Sequence, residues 1–147
     1  MQRELEQLNQ FQSGELSEAN QIDLKLIRNY LEGNNWEREQ LRSGEWNPSN
    51  YNVCGGFAEM LGNNYAPLDE RLKNFSIRLK NVPAYYEAAK KNIKNPTSEH
   101  TQLAIEQNRG GLSVFTVDLP ASLEKSKLTA AEKAALLKRS EAAIKAI

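Results

Sequence analysis

Histidine and cysteine are almost missing from this chain: His100 and Cys54 each stand alone. A lone thiol excludes an internal disulfide and leaves the redox compartment open. One imidazole and one thiol also fall short of the three or four strong ligands that tetrahedral zinc takes, which all but excludes mononuclear zinc catalysis within these residues. Net charge is missing too. Nineteen basic and nineteen acidic residues cancel, so bulk charge favours neither nucleic acid nor an anionic membrane as a partner. No apolar run approaches the roughly 20 residues of a spanning helix. The opening Met1-Gln2-Arg3-Glu4-Leu5-Glu6 is charged where a signal peptide would carry its apolar region. Strand-like alternation, low-complexity linkers and long internal repeats are also lacking, which argues against a sheet or a solenoid.

What is present is helical periodicity in a chain of 147 residues, long enough for one domain with a real core. Leu5, Leu8 and Phe11 suggest a short opening helix ending near Gly14. A longer helix should begin at Ser17, a good N-cap residue. It carries two seams, Leu24-Ile27-Leu31 and Ile22-Leu26-Tyr30, which together make a wide apolar face. Gly33-Asn34-Asn35 should kink or break it before Trp36 and Leu41.

Three proline signals follow. Asn47-Pro48 predicts a helix start, with Tyr51, Cys54, Ala58 and Leu61 on one side and Gly55-Gly56 either closely packed or interrupting it. Pro67 opens a helix whose Asp69 and Glu70 suit its N-terminal dipole. Its seam Leu68, Leu72, Phe75, Leu79, Val82 has 4-3-4-3 spacing, the clearest in the chain. Pro83 should kink or restart it, with Tyr85, Tyr86, Ala89 and Ile93 beyond. Asn95-Pro96-Thr97 starts another helix carrying Leu103, Ala104 and Val114, with Ile105, Leu112, Phe115 and Leu119 adjoining. Gly110-Gly111 is a potential interruption and Pro120 its expected end. Thr129 to Glu132 is a capping box. The helix it opens has Leu136, Leu137, Ala143, Ile144 and Ile147 as its apolar face, and ends without a stop signal, which reads as a cut helix. The expectation is an all-α bundle of about five to seven helices, one domain over 1–147.

Chemistry is sparse. Glu99-His100 is in the wrong order for an H-E-x-x-H zinc helix, and no second histidine exists. Cys54 and His100 could form a nucleophile–base pair only if folding joins them, and a lone cysteine on a helix seam is usually a small apolar residue. No nucleophile elbow, phosphate loop or dinucleotide fingerprint occurs. Asp69 with Lys73, and Glu87 with Lys91, read as surface pairs. Trp36 and Trp46 read as core anchors beside helix ends. One constellation remains. His100, Leu103, Ala104, Gln107, Gly111 and Val114 share a helical stripe, which places two polar side chains, His100 and Gln107, on an otherwise apolar face. Either both are satisfied within the core, or both face a cleft that another part of the protein completes.

The order and spacing of W-N-P-x-x-Y (Trp46 to Tyr51), A-P-L-x-E-R-L (Ala66 to Leu72), R-L-x-x-V-P (Arg78 to Pro83) and H-x-x-L-A-I-E-Q (His100 to Gln107) resemble the N-terminal helical region of a bacterial family catalogued as domain of unknown function 885. The resemblance implies a longer, mostly helical parent that looks like a zinc metallopeptidase, with its zinc helix far downstream. It implies that this region is a non-catalytic wall or lid over the catalytic channel, and that the parent belongs to the bacterial envelope or is exported. On that reading no cofactor binds this chain and zinc belongs to the parent. Its partners are the remainder of the parent polypeptide and a peptide substrate of that parent; the apolar face of the C-terminal helix by itself suggests either packing back onto the bundle or pairing with a second copy. The other reading is an autonomous helical module that binds a protein in a groove.

Overall fold

The computed structural model describes residues 2–147. Among them there is no strand, as the helical periodicity requires. Within what the sequence suggests is one domain, the chain forms two compact units, Met1–Ser43 and Gly44–Ile147.

The first unit contains α1 (Gln2–Leu8) and α2 (Glu18–Trp36). Ser17 caps α2 as expected, its Oγ accepting the Asn20 N–H at 3.3 Å. The expected break at Gly33-Asn34-Asn35 does not occur. The helix runs through it, and the Asn34 side chain folds back to donate to the Tyr30 carbonyl at 2.6 Å. The irregularity comes later, as a wide π turn over Glu37–Leu41 that Arg42 ends in the left-handed conformation at φ 51°. Of the two seams, Leu24 and Leu31 are half-buried, whereas Ile22, Leu26, Ile27 and Tyr30 are exposed. Trp36 is exposed as well, so it does not anchor a core.

The second unit holds the core. Asn47 and Pro48 do start a helical segment, with Asn47 Oδ1 accepting the Ser49 N–H at 3.0 Å, but it is only a 3-10 turn, Pro48–Tyr51. Asn52 then acts as a second start signal, accepting the Cys54 N–H at 2.9 Å. From there α3 (Cys54–Gly62) runs through Gly55-Gly56 without interruption, and neither glycine is closely packed. Next come α4 (Leu68–Leu79) and α5 (Val82–Asn92), with Pro83 in the first turn of α5. Then α6 (Ser98–Gly111) leads through a π turn, Val114–Asp118, into α7 (Leu119–Lys125). Pro120 therefore does not end the helical run. It sits in the first turn of α7, where its missing N–H is tolerated, and the wide turn before it absorbs the register change. The last element is α8 (Ala130–Ala146), with both halves of the Thr129–Glu132 capping box formed.

The 4-3-4-3 seam of α4 packs as its spacing demands: Leu72, Phe75, Leu79 and Val82 are all buried. Phe75 meets Phe57 of α3 with ring centroids 4.6 Å apart, and Phe115 of the π turn meets Phe57 at 5.3 Å, both edge-on. Edge-on packing suits the ring quadrupoles and adds to the burial of three large side chains. Leu136 and Ala143 of α8 close the cluster, with Ile144 and Ile147 packed against it. Leu137 alone of the expected α8 face points outward.

Candidate functional site

His100 lies in the first turn of α6, and the reason is local. Thr97 is the N-cap, its hydroxyl accepting the His100 N–H at 3.4 Å. The same hydroxyl is 2.7 Å from His100 Nδ1. That hydroxyl has one proton to give and two lone pairs, so it serves Nδ1 in either tautomer of the ring. The ring is half-buried and meets Trp46 edge-on at 5.1 Å. Backbone pairing holds the two segments together. The Glu45 carbonyl accepts from Lys94 N–H at 2.8 Å, and the Trp46 carbonyl from Thr97 N–H at 3.4 Å. A charge pair, Lys94 Nζ to Glu45 Oε1 at 3.4 Å, spans the same junction. So W-N-P and N-P-T, two of the three proline signals, meet at one place.

Gln107 is on the same helix, two turns on and about 10 Å away along the axis, and it is exposed. The inward line of α6 is rotated from the one the sequence suggests. It runs Thr101, Ala104, Asn108, Gly111, with Leu103 and Gln107 outside. Asn108, which the sequence does not mark, carries the polar contact: Tyr86 Oη donates to its Oδ1 at 2.7 Å, and its Nδ2 donates to the Ala104 carbonyl at 2.7 Å. Burial is the main cause that pushes the Tyr86 phenol up to about 12.

Cys54 and His100 are not brought together. Cys54 lies under Gly111, eleven residues and about 16 Å along α6 from His100. Burial also pushes its thiol up, the opposite of what a nucleophile needs. Among the described residues, no three His, Cys, Asp or Glu side chains converge. The one imidazole is hydrogen-bonded to Thr97 and the one thiol is buried.

Two concavities flank this region. One, of about 380 Å³, is lined by Val53, Phe57, Met60 and Val82 together with Asn52, Asn81, Arg78 and Tyr85. Another of about 380 Å³ lies along α6, between Pro48, Thr101, Asn108, Arg109 and Ile147. Neither contains His100 or Gln107 in its lining.

Arg71 enters the sequence reading only as the arginine of A-P-L-x-E-R-L. It is buried and donates to the carbonyls of Ala66 (3.0 Å), Met60 (3.0 Å) and Leu61 (2.6 Å), and to Asn64 Oδ1 (3.3 Å). A guanidinium thus satisfies the end of α3 and the loop that follows, a structural role suited to a rigid fork of donors. The surface pairs also differ from those expected. Asp69 accepts the Lys127 N–H at 2.9 Å, Lys73 lies 4.0 Å from Glu132, and Glu87 pairs with Lys90 at 2.8 Å.

The family model described as a bacterial protein of unknown function, DUF885, matches residues 1–147. Among solved structures, a candidate lipoprotein of unknown function from Shewanella oneidensis is similar, at 44% identity and a TM-score of 0.92. The match covers 99% of this chain and 27% of that one, so the chain spans about a quarter of the solved protein's length. No curated protein matches it. Among the described residues, no helix is long and apolar enough to cross a membrane.

Proposed function

The chain belongs to the bacterial DUF885 family, and from that premise we propose that it is the non-catalytic helical part, N-terminal in position, of a larger envelope protein whose zinc-peptidase centre lies outside these residues. One observation carries the reading: this backbone recurs nearly whole, at 44% identity, within a solved chain of which it is only 27%. Among the described residues no three His, Cys, Asp or Glu side chains converge, and burial raises the Cys54 thiol. The role of the chain is then a wall or lid. In that role His100 and Gln107 face a cleft that the remainder of the polypeptide completes, and a peptide substrate of the whole protein lies against it. The envelope location rests on the lipoprotein description of the solved relative.

The test compares the complete gene product with residues 1–147 alone. About one zinc per chain and peptide cleavage are expected for the complete product, and neither for the shorter chain. A complete product with no bound metal and no cleavage would overturn the peptidase reading. Stoichiometric zinc on 1–147 would overturn the non-catalytic one.

A second reading is an autonomous interaction module, favoured by the apolar concavity over Val53, Phe57, Met60 and Val82. There a partner's apolar side chain would sit among them, beside Asn52 and Asn81. Met60→Lys abolishing capture of a partner by the 147-residue chain, with the helix content unchanged, is the outcome that would favour it.

A further inference from the structure

The first unit has helices but no core. No described residue between Gln2 and Ser43 is buried. Yet α2 carries a continuous apolar stripe on its outer side: Ile22, Leu26, Tyr30 and Trp36 are each between 58% and 69% exposed. With Gly33 they fall within about 120° of arc on the helix. In proteins most of a helix's stability comes from packing its apolar face.

Gly33 is the second observation. It lies inside α2 at the centre of the stripe, between Tyr30 and Trp36, where glycine weakens a helix about fivefold relative to alanine. A Cβ at this position would meet no atom within 4 Å, and the backbone there is ordinary right-handed helix. Flanked on the stripe by exposed Tyr30 and Trp36, Gly33 leaves room for another backbone to come close.

We propose that the stripe Ile22–Leu26–Tyr30–Gly33–Trp36 is the seat of a further helix of the same polypeptide, crossing α2 at Gly33. This deepens, and rests on, the reading of the chain as part of a longer protein. The solved relative has the material for such a helix, since it keeps this backbone and has nearly three quarters of its length outside it. An anionic membrane is the poorer occupant. Arg3 to Arg42 holds eight acidic against five basic residues, whereas helices that lie on membranes carry a basic polar face. A glycine-centred seam also suits a packed helix better than a lipid surface.

The experiment reads hydrogen exchange of the α2 amides in the complete gene product and in residues 1–147, each with and without Gly33→Ala. Exchange across 22–36 should be at least about 100-fold slower in the complete product, as expected of a segment docked into a core. The substitution should act with opposite sign in the two. In the 147-residue chain it should slow α2 exchange, by up to about fivefold, through helix propensity alone. In the complete product the added methyl should meet the docked helix and speed exchange. Leu26→Ser should speed exchange in the complete product and leave the shorter chain nearly unchanged, a second readout should Gly33→Ala prevent folding. The proposal is overturned if Gly33→Ala slows exchange in both, or if α2 is no better protected in the complete product. Protection of the 147-residue chain that rises with its concentration would assign the face to a second copy. Protection on adding phosphatidylglycerol vesicles would assign it to a membrane. A gene product ending at Ile147 would remove the occupant. Zinc content and peptidase activity are measured separately, so slow exchange with no zinc keeps the docking and sinks only the peptidase reading.

Discussion

Gly111 of α6 lies directly on Cys54 of α3. A Cβ at position 111 would come within 2.6 Å of the Cys54 sulfur and closer still to its Cβ. The contact joins the first residue of α3 to the last of α6, so it sets how near those two helices can approach. Gly111→Ala should destabilise the chain by about 2 kcal/mol, overpacking outweighing the gain in helix propensity. Because the nearest atom is a Cβ, Cys54→Ala should relieve little of this and Cys54→Gly should relieve most. Urea unfolding of the single and double variants measures the coupling. If Gly111→Ala is neutral, the two helices are not fixed at that spacing.

This contact shows where sequence reading reaches its limit. The Gly110-Gly111 pair reads as an interruption, and Cys54 as a small seam residue. Only the second is evident one residue at a time, because a close approach is a property of two helices. The same holds at α6, where spacing selects a stripe from His100 to Val114 and packing keeps its Ala104, turns Leu103 and Gln107 outward and brings in Asn108. Local signals fared better. Ser17 and Thr129 cap the helices they precede, because their hydrogen bonds close within four residues. Asn47-Pro48 is correct as a start and wrong in extent, since Asn52 offers a competing cap five residues later. The π turn over Val114–Asp118 leaves no signature beyond Pro120 itself.

Tyr86→Phe should cost about 1 kcal/mol by leaving Asn108 Oδ1 without its donor. The phenol also predicts a pH dependence. Its folded pKa, about 12, is above the usual value near 10, so burial favours the neutral form in the folded state. The stability this contributes is fully present below about pH 10 and is lost as pH rises toward 12. Alkaline unfolding followed by tyrosine absorbance should therefore lose its latest-titrating phenol in Tyr86→Phe, whereas Tyr85, which burial also raises, remains. A full complement of phenols titrating near 10 in the folded chain would contradict the burial.

Arg71→Met should be the more damaging change, by about 3 kcal/mol, because it leaves the carbonyls of Met60, Leu61 and Ala66 with no donor in a buried site. Lysine keeps the charge but not the planar fork, so Arg71→Lys should recover less than half of the loss. The midpoint of thermal unfolding ranks the two variants against the parent chain. Equal midpoints for the parent chain and Arg71→Lys would mean that charge, not geometry, holds the end of α3.

Leu136 and Leu137 are sequence neighbours with opposite fates, and they decide what α8 packs against. Both belong to the apolar face that its sequence suggests, yet Leu136 is buried beside Ala143 and Leu137 is outside. Leu136→Ala should cost about 3 kcal/mol, the usual range for a buried leucine. Ile144 and Ile147 lie against the same cluster, so Ile144→Glu should destabilise by placing a charge at its edge. Leu137→Glu should change stability by less than about 0.5 kcal/mol, because the side chain already meets water. Sedimentation of Leu137→Glu beside the parent chain then separates two uses of the helix. An unchanged monomer leaves α8 packed only on its own bundle. A parent dimer that Leu137→Glu dissolves would mean that Leu137 is the outward half of a two-fold pairing, with Lys133, Lys138 and Glu141 at its rim.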